Sequence, residues 1–595
     1  MSNGRSPSQG PVASSDSLDL CVLAGLAPDP EHSILKADDP MHDETAALRA
    51  QWLELERDRL LSQMSLVANP EVSPEQAEVE RRLIEAGGTG QRFHTDRILF
   101  DPIARLPPLG PAQRDRLSFI IIGAGVSGLC MAARLRQASF DNFEILEKGS
   151  DLGGTWHYNT YPGLACDVPA RYYSFSFFRN PHCRHLFAHG EEIKGYLQGF
   201  AEEHRLTENL SLSTRVVAAR RSEGKWHVET DDGVIRQADF VMLANGFLHT
   251  PKLPDIPGCE SFAGIAMHSS QVPRDFDFKG LRVGNVGTGS TTVQITSNIV
   301  DKVRKLTIFQ RTPQWAFPFP NEYYPEPRRE LLSLYPGLTA GLYEMFLDRS
   351  MHGLGEAVVT PDSPVHQLTA RGCQANLAKV RDPVLRAKLT PDYAPMCKRL
   401  VYSADFYRAV QHEACEVVTE GIAAIEPREV RTADGVLHEL DLLIFSTGYD
   451  IKGYRNSYLV ENEGRSLTDA WKDGVRSLDS VAVAGFPNMF MLGGAHATVG
   501  NFSIMACAEE QSGHIVRLIG QFAARDADSI EATPKAEAQF VAEMTGALPN
   551  TIWVTGGCRS WYLNEQGGVD FWTLSIGKFV DRMREAPDLQ NFEVR

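Results

Sequence analysis

Long apolar runs are missing from this 595-residue chain. No stretch approaches the ~18 uncharged apolar residues of a membrane-spanning helix, so no membrane partner is expected. Basic charge is also in short supply. Lys and Arg number 59 against 76 Asp and Glu, a formal charge of −17. That balance argues against nucleic acid and anionic membrane surfaces as partners. Any anionic ligand must be held by local cations and backbone amides against the overall field. Cysteine is sparse, ten in all with no C-x-x-C pair, and the expectation is reduced thiols of an intracellular protein rather than a disulfide frame. No metal site is expected. The polar start MSNGRSPSQGPVASSDS lacks the apolar core of a signal peptide. Together these absences point to a cytoplasmic location.

What is present suffices for sizeable cores: 43% of the residues are hydrophobic, and the length predicts three or four structural units. Residues 1 to about 35 are poor in apolar side chains. Leu48, Trp52 and Leu55 then recur at helical spacing. SPEQAEVERRLIEAGG follows, with Ser73 as N-cap, Pro74 at N1, Gln76 at N3 and Gly87 past the end, which predicts a second helix opened by a capping box. ARLPPLGP, residues 104–111, reads as a stiff linker. Residues 1–116 are thus expected to form a mainly helical extension whose apolar stripe packs on the body or on a second copy, as in a homodimer.

The chemistry lies in two stretches with one plan. LSFIIIGAGVSGLC (117–130) and LRVGNVGTGSTTVQ (281–294) each run from an apolar strand through a glycine turn into a helix. In the first, Gly123, Gly125 and Gly128 allow a tight turn, close approach to a pyrophosphate and close helix–strand packing. In the second, Gly287, Thr288, Gly289 and Ser290 open the turn and Thr292 occupies the third glycine's place, which predicts slightly looser packing. The next strand ends in Glu147 in the first unit and in Arg311 in the second, each 24 residues after its first glycine. A carboxylate accepts bonds from ribose hydroxyls, whereas a guanidinium binds a 2′-phosphate. The second site is therefore expected to prefer NADP. Gly154, Thr155 and Trp156, in the GGTW that follows Glu147, continue an FAD site. One loop serves the flavin and the other the nicotinamide that reduces it.

In family order the chain carries GAGVSG, GGTW, YPGLACD, LANG, FAGIAMHSSQVP, GTGSTT, FQRTP, CKR, STGYD, FPN and SWY. It resembles the class B flavoprotein monooxygenases and, most closely, the Baeyer–Villiger monooxygenases, over about residues 117–595. The layout of the extension is similar to the subgroup with 4-hydroxyacetophenone and cyclopentadecanone monooxygenases. The resemblance implies an α/β fold with two Rossmann-like dinucleotide-binding domains, for FAD and NADP, a helical insert at about 318–394, and the N-terminal extension. It divides the chain into 117–258 (FAD, first part), 259–436 (NADP) and 437–595 (FAD, second part). It also implies that Arg399, with Asp167 beside it, is catalytic over the flavin, and that Tyr173, Val217 and Met505 touch FAD. Lys398 joins Arg311 and Thr312 on NADP, which Trp561 reaches from the C-terminal end. Phe262, Gly264 and His268 belong to the family's linker signature, but Val272 stands where that signature has tryptophan.

The function so implied is NADPH- and O2-dependent insertion of oxygen next to a ketone carbonyl, giving an ester or lactone through a C4a-peroxide of the flavin. Two neighbouring chemistries share the plan. Oxygenation of nitrogen or sulfur needs no arginine over the flavin, and Arg399 with Asp167 argues against it. A disulfide reductase needs a redox cysteine pair after the first loop, where this chain has GGTW.

Overall fold

The computed structural model describes residues 43–64, 73–85, 100–451, 457–498, 502–559, 562–564 and 567–595. Its first elements are the two expected helices, α1 (Asp43–Met64) and α2 (Pro74–Glu85). Ser73 caps α2, its Oγ accepting from Gln76 N at 3.0 Å. The box is only half formed, because the Gln76 amide donates instead to Glu56 Oε2 at 2.8 Å. Gly87 lies outside the described residues.

Two parallel sheets follow, built alike. In the first, β1 (Phe119–Ile122) runs into α3 (Val126–Gln137) and pairs with β2 (Phe143–Leu146) on one side and β4 (Phe240–Leu243) on the other; β3 (Leu210–Ser211) extends the β2 edge. In the second, β5 (Ile265–His268) comes first in the chain, then β6 (Arg282–Val286), α4 (Ser290–Ile299), β7 (Lys305–Phe309), β8 (Cys415–Val418) and β9 (Leu442–Phe445). The order across that sheet is β8-β7-β6-β9-β5. The loop-bearing strand is central in both, and all four residues of β1 are buried, which is why FIII reads as a continuous apolar run.

The position of β9 corrects one expectation. The LLIF of 442–445 does not open the returning flavin part at 437; it lies between β6 and β5, with Leu442 opposite Val283 and Ile265. It is the second unit's counterpart of β4, and the boundary moves past it. The strand that does return is β10 (Met489–Met491), which pairs with β4. Long helix α5 (Ile504–Ala524) then packs on α3. An apolar tetrapeptide carries no signal of which sheet it joins; topology decides.

The insert is helical as expected, with Glu326–Leu334, Pro336–Arg349 and Pro364–Leu377 as its main helices. The extension docks on it. Trp52 is fully buried against Leu331, Leu332, Leu338 and Leu342, with Leu48 and Leu55 beside it. The stripe therefore packs on the chain's own body. Beneath it, Glu56 is buried between Arg59, whose Nε donates at 2.8 Å, and Arg328. Burial alone would raise the Glu56 carboxyl, but the Arg328 and Arg59 charges and the Arg59 and Gln76 bonds hold it below its ordinary 4.5. From the insert, Tyr343 meets Tyr172 edge-on at 5.5 Å, and Tyr172 meets Phe502 at 6.2 Å.

The expectation of reduced thiols fails at one pair. Cys397 and Cys558 form a disulfide across 161 residues, while the other seven described cysteines are free. Local spacing gives no sign of a pair brought together by two distant loops. Among the described residues no helix is long and apolar enough to cross a membrane.

Glu56→Ala would leave the buried guanidinium groups of Arg59 and Arg328 with Glu322 as their remaining carboxylate, at a cost of about 3 kcal/mol, the lower end for breaking a buried pair, measurable as a lower unfolding temperature and faster proteolysis within α1. Because the Glu56 value is depressed, its contribution is complete above pH 4.5 and fades as acidification passes through the lowered value. The extension should therefore become protease-sensitive in acid before the variant-insensitive remainder does.

Candidate active site

The two first glycines are fixed by the strands that return beside them. Gly123 has φ 109°, and a Cβ there would lie 2.7 Å from Ala244 O, just after β4. Gly287 has φ 121°, and its Cβ would lie 2.3 Å from Ser446 O, just after β9. No larger residue fits either place. At the third position Gly128 lets α3 close on the loop, since a Cβ would come within 1.9 Å of Gly123 O. Thr292 is fully buried in the second unit, and its Oγ1 finds no partner among the described residues.

Both loops open on one cleft of about 570 Å³. Gly123, Gly125, Glu147 and Gly154 to Trp156 line one side; Gly289, Ser290 and Gln294 line the other, with Tyr173, Asp167 and Arg399 between them. Gly125 and Gly154 meet without side chains, the position a Cβ would take at Gly154 being 3.0 Å from Gly125 Cα. Glu147 accepts from Ala124 N at 2.9 Å, Gly149 N at 2.7 Å and Tyr158 Oη at 3.0 Å. Three bonds fix the carboxylate and leave acceptor capacity toward the cleft. Trp156 Nε1 donates to Tyr173 Oη at 3.2 Å. These features suit a long dinucleotide: a cradle free of side chains, an oriented carboxylate, and Lys148 and Arg215 as lining cations.

At two expected flavin contacts the cleft is lined by the preceding residue. Val217 is 38% exposed and faces away, while Val216 lines the cleft; alternation along the strand puts neighbours on opposite faces. Met505 is fully buried, and Ile504 lines the cleft in its place. Trp561 lies outside the described residues. The sequence reading also missed Lys148, Tyr158, Tyr161, Asn159 and Gln294. Tyr161 and Gln294 sit inside quoted stretches, which was the available signal.

Arg399 is the group on which the cleft converges. Its Nε and Nη2 donate to Asp167 Oδ2 and Oδ1, both at 2.7 Å. Burial works against the charged guanidinium, but the Asp167 charge and hydrogen bonds outweigh it and raise its pKa above the ordinary value. The fork engages two of the three guanidinium nitrogens. Beside the second loop, Lys398 Nζ lies 4.6 Å over the Tyr393 ring. Burial and the neighbouring Arg311 charge lower its pKa. The two cations thus lie close enough to feel each other's charge. Thr288 Oγ1 donates to Thr312 O at 2.6 Å, so both are committed to shaping the turn.

The linker residues tie the units together. His268 Nε2 bonds Gly448 O at 2.9 Å, and Lys252 N donates to the same oxygen at 2.9 Å. Gly264 has no room for a side chain, with Asp441 O 2.6 Å from the position of its Cβ, and Phe262 packs in the apolar layer behind β9. Tyr449 Oη donates to Asn159 Oδ1 at 2.7 Å, Tyr161 Oη to Gln294 Oε1 at 2.9 Å, and Gln294 Nε2 to Ala165 O at 2.9 Å. Val272 is fully buried, and its carbonyl accepts from Thr160 at 2.6 Å.

The profile of the family described as pyridine nucleotide-disulphide oxidoreductase matches residues 120–324. A Baeyer–Villiger monooxygenase of Pseudomonas aeruginosa is 34% identical, over 77% of this chain and 87% of that protein. This chain belongs to the Baeyer–Villiger monooxygenase family. Another member, from Streptomyces coelicolor, is 34% identical over 80% and 92%. A monooxygenase of Mycobacterium tuberculosis is 41% identical over 77% and 92%. Among solved structures, cyclohexanone monooxygenase from Rhodococcus bound to NADP+ superposes with a TM-score of 0.72 at 26% identity, covering 80% of this chain and 99% of that one. OTEMO in complex with FAD and NADP gives 0.72 at 25%, covering 81% and 100%.

The family tryptophan does not fit this chain's linker. Val272→Trp would force an indole into a fully buried valine site, with an expected loss of about 1–3 kcal/mol from overpacking. Thermal unfolding of the variant checks this; an unchanged or raised midpoint would contradict it.

Proposed function

We infer that this protein oxygenates ketones to esters or lactones using FAD, NADPH and O2, and that Arg399, held by Asp167, is its central catalytic group. The observation that carries the assignment is the bidentate pair at 2.7 Å facing a cleft shared by both nucleotide loops. Bound FAD supplies acceptance of hydride and activation of oxygen.

The remaining work falls to the chain's own residues. A guanidinium stays protonated at any working pH, so its charge does not drift as negative charge develops on the substrate oxygen. Arg399 Nη1 is placed to stabilise that charge, as donors in an oxyanion hole do. Asp167 orients the fork and offsets the penalty of burying it. Glu147 takes the flavin's ribose, while the glycine turn at 123–128 and the start of α3 take its pyrophosphate. Gly154, Thr155, Trp156 and Tyr173 flank the same cofactor. Gly287 to Ser290 hold the second pyrophosphate, with Arg311 and Lys398 on the 2′-phosphate.

A small-molecule ketone and O2 are the partners this reading requires, in a cytoplasmic setting that suits the seven free cysteines among the described residues. A homodimer through the extension would have to use its polar face, because Trp52 and its neighbours are buried within the chain.

Arg399→Ala should still bind FAD and accept hydride from NADPH, yet lose ester formation by on the order of 10²–10³-fold. Product analysis with a ketone and a thioether tests this, and normal ester yield from the variant would overturn the assignment. Arg311→Ala should raise KM for NADPH about 10- to 100-fold, the effect of losing one or two charged hydrogen bonds, and leave KM for NADH nearly unchanged. Equal losses with both nucleotides would place the 2′-phosphate elsewhere.

A further inference from the structure

Two cysteines distant in sequence meet beside the catalytic arginine. Cys397 and Cys558, 161 residues apart, are joined with their Cα atoms 6.0 Å from each other. Cys397 immediately precedes Lys398 and Arg399. The turn leading to it contains Met396 at φ 70°, a left-handed conformation that a side chain other than glycine's disfavours. That turn needs outside support. One support is Ala394 N donating to Gly556 O at 2.8 Å. Another is Gln314 Nε2 donating to Arg399 O at 2.7 Å. Close approach to the disulfide also dictates Gly556, where a Cβ would lie 2.8 Å from Cys397 Cβ and 2.9 Å from its Sγ. The segment bearing Cys558 continues to Tyr562, which stacks on Trp553 at 4.6 Å and feels the Arg399 charge.

We propose that Cys397 and Cys558 are positioning residues for Lys398 and Arg399, and that their bond makes coupled turnover redox-dependent. The proposal rests on the roles given above to those two cations. With the bond closed, the strained turn is pinned to the C-terminal segment, and both cations are fixed relative to cleft and anion site. A dithiol reductant breaks the S–S bond, which takes up two electrons and two protons to give two thiols while the dithiol becomes its own disulfide. Cys397 is fully buried and Cys558 partly exposed, so attack comes from the Cys558 side. Opening leaves the turn to its hydrogen bonds alone and lets Lys398 and Arg399 shift together. Disulfides in reducing compartments are characteristically transient and regulatory rather than permanent, which suits a clasp of this kind.

The test uses the full-length FAD-loaded enzyme. Non-reducing peptide mass spectrometry reports the 397–558 linkage in oxidised protein. NADPH consumption, ester formation and flavin content are then measured before and after dithiothreitol, beside Cys558→Ser and Arg399→Ala. Reduction should raise KM for NADPH and lower ester formed per NADPH by about 2- to 30-fold, the range for effects passed through neighbouring residues. Flavin content should not change, reoxidation should restore both values, and Cys558→Ser should match the reduced enzyme and ignore dithiothreitol. A missing linkage overturns the clasp. So do unchanged KM and coupling on reduction while Arg399→Ala forms no ester, or a loss confined to flavin content and stability. Ester from Arg399→Ala overturns the reading beneath it, and the clasp with it.

Discussion

One ion pair joins the halves of this molecule at the point where chemistry is required. Arg399 belongs to the segment leaving the helical insert and Asp167 to the loop that follows the first nucleotide-binding turn, and both donors of the fork meet both carboxylate oxygens. A charge facing a cleft is costly unless its partner is equally fixed. Asp167 is fixed because its loop is stitched to α4 by Tyr161, Gln294 and the Ala165 carbonyl. The position of the guanidinium is thus set by residues of both nucleotide-loop units.

The second constraint is repetition of one strand arrangement. In both sheets the strand that carries the glycine turn is flanked by its successor and by a returning strand, and the returning carbonyl approaches so closely that only glycine fits. At the end of the flanking strand the two units carry opposite charges. Glu147 is drawn into three bonds around the first loop, whereas Arg311 stands exposed beside Lys398, where an anion can lie between them.

Most of this was legible in the letters because it depends on short-range rules. Glycine spacing, strand-end charge and helical periodicity carried the two loops, the nucleotide preference and both N-terminal helices. What failed depends on long-range choices. LLIF at 442–445 reads the same in either sheet, and pairing with β6 and β5 assigns it to the second. The facing of Val216 over Val217 turns on strand register, and that of Ile504 over Met505 on the rotation of a helix's first turn. The Cys397–Cys558 pair exists only because two loops 161 residues apart converge. Gln76 fits a capping box locally, but a buried carboxylate on a neighbouring helix offers its amide a better acceptor.

The Gly448 carbonyl receives bonds from His268 and from Lys252, and Asp450 N returns one to Thr250 O at 2.8 Å. The two connections between the nucleotide units are therefore laced into a single ribbon. A ribbon of this kind bends readily across its flat face but resists shear and torsion. Shear between the two connections would therefore have to break all three of these bonds.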